Sequence, residues 1–138
     1  MCLGFLLFVV ILICIIWNFR TKLFTGGSLH MNLAEPHATD VRTGKKTWEG
    51  RLNKGKFALM RIGDVVRINR DFNVRITGKS TYSTFKEFID DRGLDKVLPT
   101  EYEKGSTTTQ AISVYRKFYS KKKESQYGVL GLGVEVIN

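Results

Sequence analysis

The sequence predicts a mainly β, α+β domain: a small curved sheet or β-barrel with a helical insert, preceded by a single transmembrane helix. Three observations predict it. Residues 1–19, MCLGFLLFVVILICIIWNF, hold no charge, so residues 20–138 carry all 22 Lys and Arg, all 13 Asp and Glu, and the whole formal charge of +9. Apolar residues alternate with polar ones around Leu29–Leu33, Val65–Ile68 and Val74–Tyr82, and again towards the C-terminus, as in half-buried strands. Between the third and last of these runs the apolar spacing turns helical. Strands first, helices inserted, one strand closing is the order of a sheet or barrel with its helices gathered in one connection.

Nineteen helical residues span about 28 Å, close to the roughly 30 Å of a bilayer's hydrocarbon. Trp17 and Phe19 followed by Arg20 and Lys22 read as an interfacial aromatic and a polar exit. A cleaved signal peptide needs a basic n-region, and no Lys or Arg precedes the run. A core helix needs a polar face, and none is present. The expectation is a single-pass anchor over residues 1–19, with the domain on the cytosolic side by the positive-inside rule. A tether over residues 20–28 and a domain over residues 29–138 follow.

Within the domain, Leu29, Met31 and Leu33 alternate with His30 and Asn32 as a strand. Pro36 opens a short helix that Gly44 ends as a left-handed cap. Lys46–Leu52 is a strand or extended segment, and Asn53–Lys56 is a turn around Gly55. Val65–Ile68 and Val74–Tyr82 are strands. Thr84 with Glu87 is a capping box before a helix bearing Phe85, Phe88 and Ile89 and ending near Gly93. Leu94, Val97 and Leu98 make an apolar turn before Pro99. After Gly105-Ser106, Ala111, Ile112, Tyr115, Phe118 and Tyr119 form one helical stripe, with Lys121–Lys123 closing the helix at its negative end. Tyr127–Ile137 is the last strand, and Gly131 and Gly133 inside it mark a bulge or a close backbone approach.

Composition excludes some chemistries. Both cysteines, Cys2 and Cys14, lie in the uncharged run, and there are two His. That leaves neither a disulfide framework nor three or four converging zinc ligands. No metal and no cofactor are expected.

The run with chemical content is Gly44-Lys45-Lys46-Thr47-Trp48-Glu49-Gly50-Arg51. On a strand, Thr47, Glu49 and Arg51 share a face. Lys46 has the other parity and joins them only if the chain bends, which Gly44 permits. A Lys, a carboxylate and a guanidinium in one cleft can hold a polar planar ligand, with Arg51 as a fork-shaped donor, Glu49 as acceptor and Lys46 as a mobile cation. As a plain surface strand the same residues would make a Glu–Arg pair of little energetic value. Lys45, Lys54 and Lys56 extend a basic surface around the motif, and Arg116, Lys117 and Lys121–Lys123 form a second one. Such surfaces track phosphates or lie on anionic lipid. Trp48 and Tyr82 are available to stack on bases. His37, beside Pro36, reads as a capping or packing residue able to titrate near neutrality.

Gly44-x-Lys46-Thr47-x-Glu49-x-Arg51 after a strand and a helix resembles the signature of the ASCH family, which is related to the PUA fold. The Arg61-Ile62-Gly63-Asp64 turn, the Phe85–Phe88 helix, the Gly93–Pro99 stretch, the Val114–Ser120 segment and the Tyr127–Leu130 strand are similar as well. The resemblance covers Leu29–Ile137. It implies a PUA-like β-barrel whose cleft, lined by Lys45, Lys46, Thr47, Glu49, Arg51, Lys54 and Lys56, takes RNA, a nucleotide or a modified nucleoside. Some small bacterial members are amidohydrolases that remove the acetyl group of N4-acetylcytidine. Their catalytic Lys matches Lys46, and their Thr falls where this chain has Glu49. A third carboxylate matches Glu101 or Glu103. In an enzyme of that type, Glu49 would activate a water while Lys46 or Arg51 steadied the oxyanion.

Overall fold

Alternation and turn chemistry become five strands and seven short helices in a computed structural model, which describes Ile11 and residues 29–138. In chain order these are β1 (His30–Met31), α1 (His37–Arg42), β2 (Trp48–Leu52), α2 (Gly55–Leu59), β3 (Val65–Ile68) and β4 (Phe72–Tyr82). The insert follows as α3 (Phe85–Arg92), α4 (Leu94–Val97), α5 (Pro99–Glu103), α6 (Thr108–Arg116) and α7 (Lys121–Tyr127), and β5 (Val129–Ile137) closes the chain.

One sheet runs in the order β1-β3-β4-β5-β2. Only β1 and β3 are parallel; the other three pairings are antiparallel. The closing strand β5 lies between β4 and β2, and its glycines permit this. A Cβ on Gly131 would come within 2.6 Å of the Phe88 ring, and one on Gly133 within 2.7 Å of Thr77 Oγ1. The β4–β5 register shifts between Ile76 and Gly78, beside Gly133. Two apolar clusters result. One joins the inward residues of β1, β3, β4 and β5 to Ala38 and Val41 of α1. The other packs Phe85, Phe88, Ile89, Val97, Ala111 and Tyr115 of the insert against Leu52 and Val129.

The structure corrects several expectations. The sheet is open: β1 and β2 are its two edges, with no ladder between them to close a barrel. The physical reason is the length of β1: it has two residues, and past them the Asn69 side chain at the end of β3 accepts from Leu33 N–H and donates to Leu33 C=O, both at 2.8 Å, holding the chain to β3 by an amide and leaving β2 too short an edge to pair with. The turn expected at Asn53–Lys56 runs into a helix, α2. The long helix expected to end at Lys121–Lys123 stops at Arg116. Those lysines instead begin α7, where the Ser120 hydroxyl accepts the Lys123 N–H at 3.2 Å. Phe118, counted in the apolar stripe, is 59% exposed because it falls in the break. Apart from Ile11, the anchor expected over residues 1–19 lies outside the described residues. Among those described, no helix is long and apolar enough to cross a membrane, and the single-pass, cytosolic-domain placement is overturned on that finding.

Candidate functional site

A cleft of about 410 Å³ opens at the seam between the two edges of the sheet. Asn32–Ala34 border it from the end of β1, Glu49–Arg51 from β2 and His37 from α1, while Leu98, Val114, Tyr115, Phe118 and Tyr119 of the insert form the apolar wall.

The strand parity of β2 sends Glu49 and Arg51 to the same side, and Arg51 Nε donates to Glu49 Oε1 at 2.9 Å. Lys46 arrives by the bend. Gly44 takes a φ of +79°, the left-handed region open to glycine, and Lys46 N–H is then pinned to Asp40 C=O at 2.9 Å. Its ammonium lies 3.1 Å from Glu49 Oε2 and donates to the Val97 carbonyl. Lys46 is 1% exposed and Glu49 7%. The free end of Arg51 crosses the seam to Asn32 C=O at 2.7 Å, and its guanidinium lies over the Phe57 ring.

Burial by itself would raise the Glu49 pKa. The charges of Lys46 and Arg51, with the Lys46 hydrogen bond, outweigh it and hold the carboxyl below its usual range. His37 is pushed below 6.5, first by burial and then by Lys46, so it is neutral near pH 7. Its Nδ1 is buried without a hydrogen-bond partner. The Tyr115 hydroxyl is also buried. It sits beside the Gly50 backbone without completing a hydrogen bond to it or to any other described residue. Burial, then the charge of Glu49, keep that phenol protonated. Burial raises Tyr119 too, against the opposing charge of Arg51. Two cations against one carboxylate leave the floor with one net positive charge. This arrangement offers an ionised acceptor flanked by donors, beside aromatic and aliphatic wall.

Among the residues named from the sequence, Lys46, Glu49 and Arg51 come together here. Thr47 does not: it lines a separate hollow with Thr77 and Val134. Lys45 pairs with Glu103 on the surface at 2.9 Å. Lys54 lies over the Tyr127 ring and Lys56 over Phe57, both exposed and outside the cleft lining. Glu101 accepts from Ser106 Oγ at 2.8 Å, and neither it nor Glu103 lines the cleft. Trp48 is half-buried beneath the Arg92 guanidinium, and the Tyr82 hydroxyl donates to Asp91. Sequence reasoning passed over Tyr115 and Tyr119 as packing residues and set His37 aside. The usable signal for His37 was its place one helix ahead of the motif. Among the described residues, no group of three His, Cys, Asp or Glu is placed to hold a metal ion.

A family model described as the ASCH domain matches residues 31–138. The chain is similar to the hypothetical protein PH0355, known from a crystal structure, at 31% identity, 80% of this chain and 100% of that one covered, and a TM-score of 0.74. It is also similar to protein PF0455 from Pyrococcus furiosus, solved by NMR, at 31% identity, 81% and 99% coverage, and a TM-score of 0.69. No curated protein matches it.

Proposed function

The chain belongs to the ASCH domain family, and from that membership and the seam cleft we propose that it binds a nucleobase-bearing ligand: RNA, a nucleotide or a modified nucleoside. The observation that carries this reading is the ion cluster Lys46–Glu49–Arg51 on the cleft floor, below aromatic wall from Tyr119 and Phe118. Glu49 accepts a ring or exocyclic N–H, and the remaining N–H groups of Arg51 meet a ring nitrogen or carbonyl. The base stacks on the aromatic wall. A volume of about 410 Å³ lies within the usual range for small-ligand pockets.

Binding is favoured over amide hydrolysis by the state of Glu49. A carboxylate held below its ordinary pKa by two cations is a weak general base at neutral pH. The Lys46 ammonium is committed to Glu49 and to Val97. The test is calorimetric titration of the protein with the four ribonucleosides, their base-modified forms and short RNA. Arg51→Lys keeps the charge and removes the fork, and should weaken the bound ligand about tenfold or more. Absence of saturable binding across the panel would overturn the reading.

A further inference from the structure

We propose that the occupant is a base within a single-stranded polynucleotide, and that the turn from Arg116 to Glu124 is the lip over which its backbone leaves the cleft. This rests on the base-binding reading above and names the form in which the base arrives.

The turn is braced. Arg116 grips Glu124 with two bonds of 3.1 and 3.0 Å, and Glu124, buried, also accepts the Phe85 N–H at 3.2 Å. One carboxylate therefore ties the end of α6, the start of α3 and the first turn of α7 together. The chain between is held at the cleft mouth. Tyr119 stacks on Phe85 with ring centroids 5.5 Å apart, while Phe118 lines the cleft and yet is 59% exposed. An aromatic ring with one side on a cleft and the other in water is a platform for a second base.

Directly beyond it stand three exposed lysines. The ammonium groups of Lys121, Lys122 and Lys123 make no hydrogen bond or ion pair with any described residue. By contrast Lys45, Lys46, Lys79, Lys86 and Lys104 each reach an oxygen. The carboxylate nearest in sequence, Glu124, is already taken by Arg116. Adjacent like charges with no counter-ion among the described residues are relieved by a polyanion laid across them. Stacking on Phe118 and insertion into the cleft both need unpaired bases, which selects a single strand over a duplex.

The experiment measures binding of a mixed-sequence oligoribonucleotide of roughly eight nucleotides and of its four constituent nucleosides. The protein is used as it is, as Lys121→Ala/Lys122→Ala/Lys123→Ala, and as Arg51→Lys. The oligonucleotide should bind at least tenfold more tightly than any nucleoside. In the triple variant that ratio should collapse towards one. Because each phosphate contact on a single strand contributes about 0.7 to the slope of log affinity against log salt, the triple variant should lose about 2 units of slope. An unchanged ratio and slope in the triple variant, or equal competition by duplex RNA or polyglutamate, would overturn the lip while leaving the base site standing. If Arg51→Lys changes neither nucleoside nor oligonucleotide affinity, the base-binding reading falls and this one with it.

Discussion

Replacing Glu49 with Gln tests the energetic core of the site. Gln keeps the volume and one acceptor but removes the charge. The consequence is set by Lys46, 1% exposed, whose ammonium has, among the described residues, only Glu49 and the Val97 carbonyl to hold it. Removing one partner of a buried ion pair leaves an uncompensated charge and costs about 3–5 kcal/mol. The retained amide oxygen, still an acceptor for the Lys46 ammonium, places the expected loss near the lower end, about 3 kcal/mol. At about 4 °C per kcal/mol for a domain of this size, melting should fall by about 12 °C. A solvated surface pair would cost under about 1 kcal/mol. Urea unfolding followed by circular dichroism separates the two values, and a loss below about 1 kcal/mol would refute the buried-pair argument. The double variant Lys46→Met/Glu49→Gln removes both charges, so it should be less destabilised than the sum of its parts. The pH dependence has a definite sign. The folded pKa of Glu49 lies below 4.5, so its stabilisation is complete above that value and is lost as pH falls through the lower folded one. Glu49→Gln should remove that part of the acid sensitivity.

Two further outcomes follow from the cleft floor. Gly50→Ala places a Cβ 2.7 Å from the Tyr115 hydroxyl and 2.8 Å from the Phe88 ring, both in the packed insert; overpacking of about 1–3 kcal/mol is expected in urea unfolding, with weaker ligand binding, and an unchanged midpoint would contradict it. His37 has a folded pKa below 6.5, set by burial and then by Lys46, so it stabilises the fold fully above 6.5 and loses that contribution as pH falls through the folded value. Melting of His37→Gln should therefore fall less than that of the parent between about pH 7.5 and pH 5.5, and parallel curves would exclude the buried neutral imidazole.

Local signals were legible where they were strong. Period-two alternation located β3, β4 and β5, and Thr84 marks the start of α3 by accepting the Glu87 N–H at 3.1 Å. The bend that brings Lys46 to Glu49 was readable from one glycine, because Gly44 takes a left-handed φ that other residues adopt only at a cost. The break at residues 117–120 was not legible. The aromatic stripe runs through it at helical spacing, and Ser120 caps the next helix with Lys123, instead of Glu or Gln, at the third position. The two halves of the motif's charge were equally opaque. Lys45, Lys54 and Lys56 look like Lys46 in sequence, and only long-range contacts bury one ammonium while pairing or stacking the others outside. The openness of the sheet was beyond reach for the same reason, since the alternation at Leu29–Leu33 reads as a full strand while only His30–Met31 is one.

That missing closure is what gives the molecule a cleft. Val134 N–H bonds to Thr47 C=O at 2.9 Å and Asn53 N–H to Gly128 C=O at 3.1 Å, so the odd-numbered residues of this stretch face β5. By the alternation of an antiparallel ladder, the backbone of Gly50 faces the seam instead. In a closed barrel a laddered neighbour would occupy that edge and cover Glu49 and Arg51. Here the neighbouring strand has only two residues, and one guanidinium bond, Arg51 to Asn32, spans the gap. A single charged side chain can move aside at far lower cost than a ladder, so under the proposed function a flat polar ligand would enter the seam without unfolding an edge. The ionic floor carries one net positive charge, and the absence of a Cβ at Gly50 lets the Tyr115 hydroxyl of the wall approach the strand. The cleft of this domain therefore lies where its sheet fails to close, and the ionic groups of the motif lie on that edge.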